Sequence, residues 1–152
     1  MDKNFIKKGI ELLKKADAVY LTTIDPSGFP STRAMFNLRN GKQLPKLIDF
    51  MSQFDNGFNL FFTTNTSSAK IKQIIINPKV SVYICDTKIY HGLMCQGEIE
   101  IVTDKAIKNA IWHDEWKMYY PDGKDSEDYA IIRLEPSYVR QYYNLEQYDL
   151  KL

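Results

Sequence analysis

The segment Phe61-Phe62-Thr63-Thr64-Asn65-Thr66-Ser67-Ser68-Ala69-Lys70 joins an apolar strand pattern to a hydroxyl-rich turn and then to a helical pattern. The first N–H groups of a helix have no partner within the helix and carry the positive end of its dipole. Several hydroxyl groups and one ammonium group converge on the same point, which is what a phosphate needs. Taken alone, the segment is read more simply as a helix cap made by Thr66 or Ser67.

Arg33 supplies a second cation that favours the phosphate interpretation. It lies in the second strand of a predicted hairpin, in which strands 18–24 and 31–38 are joined by the turn Asp25-Pro26-Ser27-Gly28. Alternation along that strand places Arg33 on one face with Met35 and Asn37, and Thr32, Ala34, Phe36 and Leu38 on the other. If this strand lies beside the third one, Arg33 and Lys70 reach the same dianion. The alternative is an exposed strand arginine paired with a carboxylate.

The rest of the chain alternates strand patterns with short helical patterns. The predicted elements are a helix capped by Asp2, the hairpin, a short amphipathic helix in an insert at 42–56, a strand at 58–64, a helix at 67–76, strands at 79–85 and 92–103, a helix from Asp104 to about Tyr119, and a last strand at 129–138. There is no regular βαβ alternation and no glycine-rich dinucleotide fingerprint. Six strands in an antiparallel, mainly β (α+β) barrel fit this pattern better.

Composition limits the classes of function. With 152 residues, 44% of them hydrophobic, the chain is expected to form one domain over residues 1–152. Twenty basic and nineteen acidic residues give a net charge of +1, so no overall field favours nucleic acid or an anionic membrane. No secretory signal or membrane-spanning stretch is apparent, so we expect a cytoplasmic protein with Cys85 and Cys95 reduced. His91 and His113 have no partners at metal-ligand spacing, and no metal site is expected.

Five blocks, by their order and spacing, resemble the flavin-binding split barrels related to pyridoxamine 5'-phosphate oxidase. Four of them are Gly28-Phe29-Pro30-Ser31-Thr32-Arg33-Ala34-Met35, residues 62–70, Asn77-Pro78-Lys79-Val80-Ser81-Val82, and Gln96-Gly97-Glu98-Ile99-Glu100. The fifth, residues 111–123 followed by residues 129–136, resembles the general stress protein 26 branch of that family. The resemblance extends over most of the chain.

The resemblance implies a fold, a cofactor and a partner. The fold is a six-stranded antiparallel Greek-key split β-barrel with peripheral helices, and the cofactor is flavin mononucleotide (FMN), bound at the interface of a homodimer. The implied cofactor-binding residues are Arg33, Thr64, Ser68 and Lys70 for the phosphate and the backbone around Ala34, Met35 and Phe36 for the ring. We count Thr63 and Trp112 as further candidate cofactor-binding residues. The family oxidase usually has a second basic residue where this chain has Ala69, which implies either a weaker affinity for phosphate or a contribution from Lys72.

Two tryptophans bear on the ring site. Trp112 and Trp116 are four residues apart on a predicted helix and therefore share a face. They pack either on a flavin ring or on the core or the partner subunit, and the sequence leaves both alternatives open.

The reaction is open at this stage because a flavin carries its own redox chemistry and needs few catalytic side chains. The related oxidases have an Arg and a His close together near the C-terminus, whereas this chain has only Arg140 there and no His after His113. Vitamin B6 oxidase activity is therefore not expected. The first hypothesis is an FMN-dependent oxidoreductase linked to stress response, with a small-molecule electron donor or acceptor. The second is a non-catalytic flavin-binding stress protein that stores or senses FMN. A third is a haem- or deazaflavin-binding relative.

Overall fold

The computed structural model describes residues 3–152, which form eight strands and four α-helices. The strands are β1 (Ala18–Ile24), β2 (Pro30–Phe36), β3 (Leu60–Asn65), β4 (Lys79–Asp86), β5 (His91–Val102), β6 (Tyr129–Leu134), β7 (Tyr138–Tyr143) and β8 (Glu146–Lys151). The α-helices are α1 (Lys3–Lys15), α2 (Ile48–Ser52), α3 (Ala69–Ile76) and α4 (Lys105–Ile111), with short 3-10 helices at Pro45–Leu47, Asp114–Met118 and Gly123–Asp125. None of the helices in this part of the chain has both the length and the apolar character needed to span a membrane.

The sheet is antiparallel and curls into a split half-barrel. Its strand order is β2-β1-β4-β5-β6-β3, and β7 and β8 extend it from β5. The long strand β5 joins the two halves, because its first part pairs with β4 and β7 and its last part pairs with β6. In residues 3–152, β2 pairs only with β1 and β3 only with β6, yet β2 and β3 approach each other without a ladder. The predicted split-barrel class is therefore confirmed, and β2 and β3 face each other across the split.

The predicted hairpin of β1 and β2 is present. Asp25 Oδ1 accepts hydrogen bonds from the backbone N–H groups of Ser27 (2.8 Å) and Phe29 (2.9 Å). Gly28 has a φ of +86°, a conformation that glycine adopts without strain. Arg33 lies opposite Leu21 on β1, and side chains alternate along β2 between exposed and half-buried positions. The face assigned to Arg33 from the sequence is confirmed.

The core consists of two hydrophobic clusters separated by the sheet, and β3 contributes to both. Leu60 and Phe62 join the cluster that the sheet forms with α1, whereas Phe61 joins a cluster with the insert and the aromatic residues after α4. The insert contains a short helix, as predicted, and it buries Leu47 and Met51 in the second cluster. Strand β3 is therefore packed against hydrophobic residues on both of its faces.

The chain after β6 differs from the sequence prediction. The strand expected at 129–138 ends at Leu134, because Pro136 has no N–H to continue a ladder. A second hairpin, β7 and β8, follows, and Tyr148 of β8 packs edge-on against Phe5 of α1 with ring centroids 6.0 Å apart.

Two helix boundaries also differ from the prediction. Asp104 caps α4 by accepting a hydrogen bond from the Ala106 N–H (2.8 Å), as expected, but the helix ends at Ile111 rather than near Tyr119. The backbone is extended at His113, and the Trp112 indole N–H donates to Asp114 Oδ1 (3.0 Å). The helix predicted from residue 67 begins at Ala69. The cap predicted at Asp2 lies outside the described residues.

Candidate functional site

A cavity of about 590 Å³ lies at the split between β2 and β3. Its size is typical of small-molecule sites. It is lined by Asp17, Ala18, Ala34, Met35, Phe36, Gln43, Thr63, Thr64, Asn65, Lys70, Trp116, Tyr119 and Tyr120. Six of the nine cofactor-binding residues predicted from the sequence are among them: Ala34, Met35, Phe36, Thr63, Thr64 and Lys70.

One end of the cavity carries hydroxyl groups and an ammonium group at the start of α3. Lys70 Nζ donates to Thr64 Oγ1 (2.9 Å), and the hydroxyl groups of Thr64 and Ser68 are 3.2 Å apart. Ser68 occupies the N-cap position of α3, but its side chain makes no capping hydrogen bond. The first-turn N–H groups of α3 therefore have no capping side chain within residues 3–152 and can donate to an anion. The Ser68 hydroxyl, which shares a hydrogen bond with that of Thr64, lies beside them.

The two residues proposed as an ordinary cap have a different role. The Ser67 N–H and Oγ donate to Asp128 Oδ1 (3.0 and 2.9 Å), and Thr66 Oγ1 donates to the Glu127 carbonyl (2.9 Å). Both side chains thus bind the segment before β6 rather than the end of α3. Asp128 was not identified from the sequence, because it is about sixty residues away in the chain and no local pattern marks it.

Arg33 lies close to this polar end and is held by neutral groups. Its Nη1 donates to Thr23 Oγ1 (2.7 Å) and to the Leu21 carbonyl (3.3 Å), and Nη2 donates to Gln73 Oε1 (3.3 Å). Thr23 Oγ1 in turn donates to Gln73 Oε1 (2.5 Å). The alternative of an exposed arginine paired with a carboxylate is wrong, since all three acceptors are uncharged.

Among the described residues, Arg33 and Lys70 form a pair of cations without an anionic partner. Burial lowers the pKa of Lys70, and the nearby charge of Arg33 lowers it further. Burial also lowers the pKa of Arg33. None of the ion pairs found within residues 3–152 includes either side chain. Two neighbouring, partly desolvated cations repel each other, and a bound anion relieves that repulsion.

Aromatic side chains form a further part of the cavity lining. Trp116 and Tyr120 are buried, and the exposed ring of Tyr119 packs edge-on against Phe36 with centroids 6.1 Å apart. Burial raises the pKa of Tyr120 to about 12, although a hydrogen bond with Thr63 opposes that rise. Tyr120 therefore keeps its proton at neutral pH. Tyr119 and Tyr120 were missed as site residues, although both stand in the block that resembles the stress-protein branch.

Trp112, predicted to bind the cofactor, does not line the cavity. Its ring packs at right angles to Trp116 (6.3 Å between centroids) and against Tyr129 (5.1 Å). Trp112 thus packs behind Trp116, and Trp116 is the tryptophan that lines the cavity. The two tryptophans do not share a helix, but they are in contact.

Three further residues considered from the sequence lie elsewhere. His91 Nε2 bonds to Gln141 Oε1 (3.0 Å) beside a separate cavity of about 480 Å³ between α1 and the β4–β5 turn. His113 packs against Trp116 (5.9 Å between centroids), and Arg140 Nε donates to Asp149 Oδ1 (2.7 Å). None of them is among the residues that line the cavity between β2 and β3.

Comparisons of sequence place these observations among known proteins. The sequence profile of the family described as pyridoxamine 5'-phosphate oxidase matches residues 6–143. General stress protein 26 of Bacillus subtilis is 26% identical over 94 residues, which cover 60% of this chain and 66% of that protein's own length.

Comparisons of structure agree with the fold. A protein of Clostridium acetobutylicum related to general stress protein 26 superposes with a TM-score of 0.79 at 28% identity, covering 100% of this chain and 97% of the other. A pyridoxamine 5'-phosphate oxidase-related, FMN-binding protein of Nostoc punctiforme superposes with a TM-score of 0.58 at 16% identity, covering 99% and 95% of the two chains.

Proposed function

The chain belongs to the pyridoxamine 5'-phosphate oxidase family, and from this premise we propose that it binds FMN in the cavity between β2 and β3. The observation that carries the proposal is the cation pair of Arg33 and Lys70, which has no carboxylate partner in residues 3–152 and lies beside the hydroxyl groups of Thr64 and Ser68. A phosphate dianion needs this set of donors. The Nostoc punctiforme neighbour, described as FMN-binding, supports the choice of ligand.

The residues present fit each part of FMN. Arg33, Thr64, Ser68 and Lys70 would hold the phosphate at the start of α3. The backbone of Ala34 to Phe36 and the aromatic side chains Trp116, Tyr119 and Tyr120 would border the ring, since planar aromatic groups pack well on a flat ligand. Charged groups and flat aromatic side chains thus line the same cavity.

Bound FMN would supply hydride or single-electron chemistry through its own ring. The role of the protein is to bind the cofactor, to orient it and to shield it from water. Lys70 and Arg33 fix the position of the phosphate, and the buried Trp116 and Tyr120 exclude water from one side of the cavity. Tyr120 keeps its phenolic proton at neutral pH and offers a hydrogen-bond donor.

We propose an oxidoreductase of the stress-protein branch that takes a small-molecule electron donor or acceptor. The similarity to general stress protein 26 supports the branch. A second candidate is a non-catalytic FMN store or sensor. It is favoured by the lining itself, which contains no histidine or cysteine among the described residues to assist a substrate.

The visible spectrum of protein purified without added cofactor tests the ligand class. We expect flavin absorbance, and titration with FMN and riboflavin is expected to show clear preference for the phosphorylated form. A haem spectrum, or equal affinity for the two flavins, would overturn the phosphate assignment. Steady-state oxidation of NADH or NADPH, with and without quinone acceptors, then separates the two candidates, because a store shows no turnover with any donor.

We also propose that two copies of the chain associate through the outer face of the sheet. Tyr20, Tyr83 and Phe36 are on this face with 47%, 47% and 51% of their surface exposed, and Tyr20 lies opposite Tyr83 in the ladder. Exposed aromatic side chains are enriched at interfaces between proteins. Because Phe36 also lines the cavity, a second copy seated here would cover the flavin.

Replacing Tyr20 with glutamate is expected to dissociate this dimer, since it places a charge on the apolar face without touching the core. Sedimentation velocity at micromolar concentration should show a dimer for the wild type and a monomer for Tyr20→Glu. Ile89→Glu, which changes an exposed residue in the β4–β5 turn, serves as the matched control and should remain dimeric. A monomeric wild type would contradict the proposal.

A further inference from the structure

Asp128 connects the start of β6 to the loop at residues 65–68, which we name the phosphate loop. Asn65 Nδ2 donates to Asp128 Oδ2 (2.6 Å), and the Ser67 N–H and Oγ both donate to Oδ1. The Thr66 N–H donates to the Asp128 carbonyl (2.8 Å). One residue from a distant part of the chain therefore binds three consecutive residues of the loop.

Within residues 3–152, all the hydrogen bonds that the Asp128 carboxylate accepts come from this loop. Its hydrogen bonds with Ser67 and Asn65 hold its pKa below the ordinary value for an aspartate, so it is charged at neutral pH. It takes part in none of the ion pairs within residues 3–152. Hydrogen bonds from neutral donors to a charged acceptor are short and strong, and they fix the geometry of the donors.

The donors that Asp128 fixes stand next to the proposed phosphate grip. The Ser68 N–H donates to the Asn65 carbonyl (3.0 Å), and the Ser68 hydroxyl lies 3.2 Å from that of Thr64. Asn65 itself lines the cavity. Holding Asn65 and Ser67 in place therefore sets the position of the Ser68 hydroxyl and of the first turn of α3.

We propose that Asp128 is the positioning residue of the phosphate grip and sets the selectivity for a phosphorylated flavin over the unphosphorylated one. It acts through Ser67 and Asn65 and does not touch the ligand. This inference rests on the proposed FMN binding. It also ties the segment that carries Trp116 and Tyr120 to the phosphate loop, because Asp128 ends that segment.

The test compares the dissociation constants of FMN and riboflavin for Asp128→Ala. We expect FMN binding to weaken about tenfold, since the loop loses its charge-assisted hydrogen bonds, while riboflavin binding changes less than about twofold. The matched control is Asp125→Ala, which removes an exposed carboxylate from the same segment and should change neither constant. A merely structural role would weaken both ligands in parallel.

Asp128→Asn carries the same test if the alanine variant does not fold. The amide keeps an acceptor for Ser67 but replaces the acceptor that Asn65 uses, so we expect a smaller loss of FMN affinity with riboflavin again unaffected. Unchanged FMN affinity in both variants, or a parallel loss of both flavins, would overturn the role of Asp128. A wild type that does not distinguish FMN from riboflavin would instead overturn the proposed phosphate grip itself.

Discussion

Replacing Lys70 with alanine is expected to weaken FMN binding about 10- to 100-fold. A charge-assisted hydrogen bond contributes roughly 1.5–3 kcal/mol. The ammonium group of Lys70 is partly desolvated, and within residues 3–152 its one acceptor is Thr64 Oγ1. Arg33→Ala should cause a loss of similar size. Titration of FMN into apoprotein, followed by flavin fluorescence, measures both effects.

Lys72→Ala is the matched control for this prediction. Lys72 was considered from the sequence as a contributor to phosphate binding, but the structure places it on the exposed side of α3, and it does not line the cavity. It carries the same charge on the same helix as Lys70. We expect its FMN affinity to stay within about twofold of the wild type, since surface charges contribute little at physiological ionic strength. Full FMN retention in both Lys70→Ala and Arg33→Ala would refute the assignment of the phosphate site.

Replacing Gln73 with glutamate is expected to weaken FMN binding by a comparable factor, about 10- to 100-fold, without removing any cation. Gln73 Oε1 accepts from both Arg33 and Thr23, so the substitution places a carboxylate against the guanidinium. That carboxylate would pair with Arg33 and repel the phosphate dianion. The neutral amide at this position keeps Arg33 oriented and still available.

The thermal stability of the apoprotein is not expected to fall in Gln73→Glu. A new ion pair with a half-buried arginine is expected to leave the melting temperature of the apoprotein unchanged or slightly raised. Affinity falling while stability holds is the diagnostic pattern, and thermal unfolding beside the FMN titration reveals it. Gln53→Glu, at the C-cap position just after α2 and outside the cavity, makes the same charge change and should alter neither quantity. A loss of stability in Gln73→Glu would indicate a packing defect instead.

Local patterns predicted most of the fold. The hairpin was predictable because its turn carries proline and glycine where a β-turn needs them, and α3 because its apolar spacing ends at Asn77-Pro78. The early end of α4 was not, since it depends on the packing of Trp112 against Tyr129, a contact between distant parts of the chain. Tertiary packing of this kind overrides helical spacing.

The residues of the candidate site likewise divide into those that a local pattern predicts and those that only tertiary contacts bring together. Lys70, Thr64 and Ser68 were identified because they belong to one strand-to-helix segment, and Arg33 because strand alternation fixed its face. The residues that hold these side chains in place, Gln73 and Asp128, were not identified from the sequence. Gln73 is 50 residues from Thr23 and 40 from Arg33, and Asp128 is 61 residues from Ser67. Only the folded chain brings such partners together.

The gap between β2 and β3 provides a place for a ligand that is not part of the hydrogen-bonded sheet. An edge strand offers unpaired N–H and C=O groups on one side, and here two such edges face each other without joining. A ligand can therefore bind in this gap without breaking any backbone hydrogen bond of the sheet. Because β2 keeps its ladder with β1 and β3 keeps its ladder with β6, the hydrogen bonding of the barrel does not depend on whether the gap is occupied.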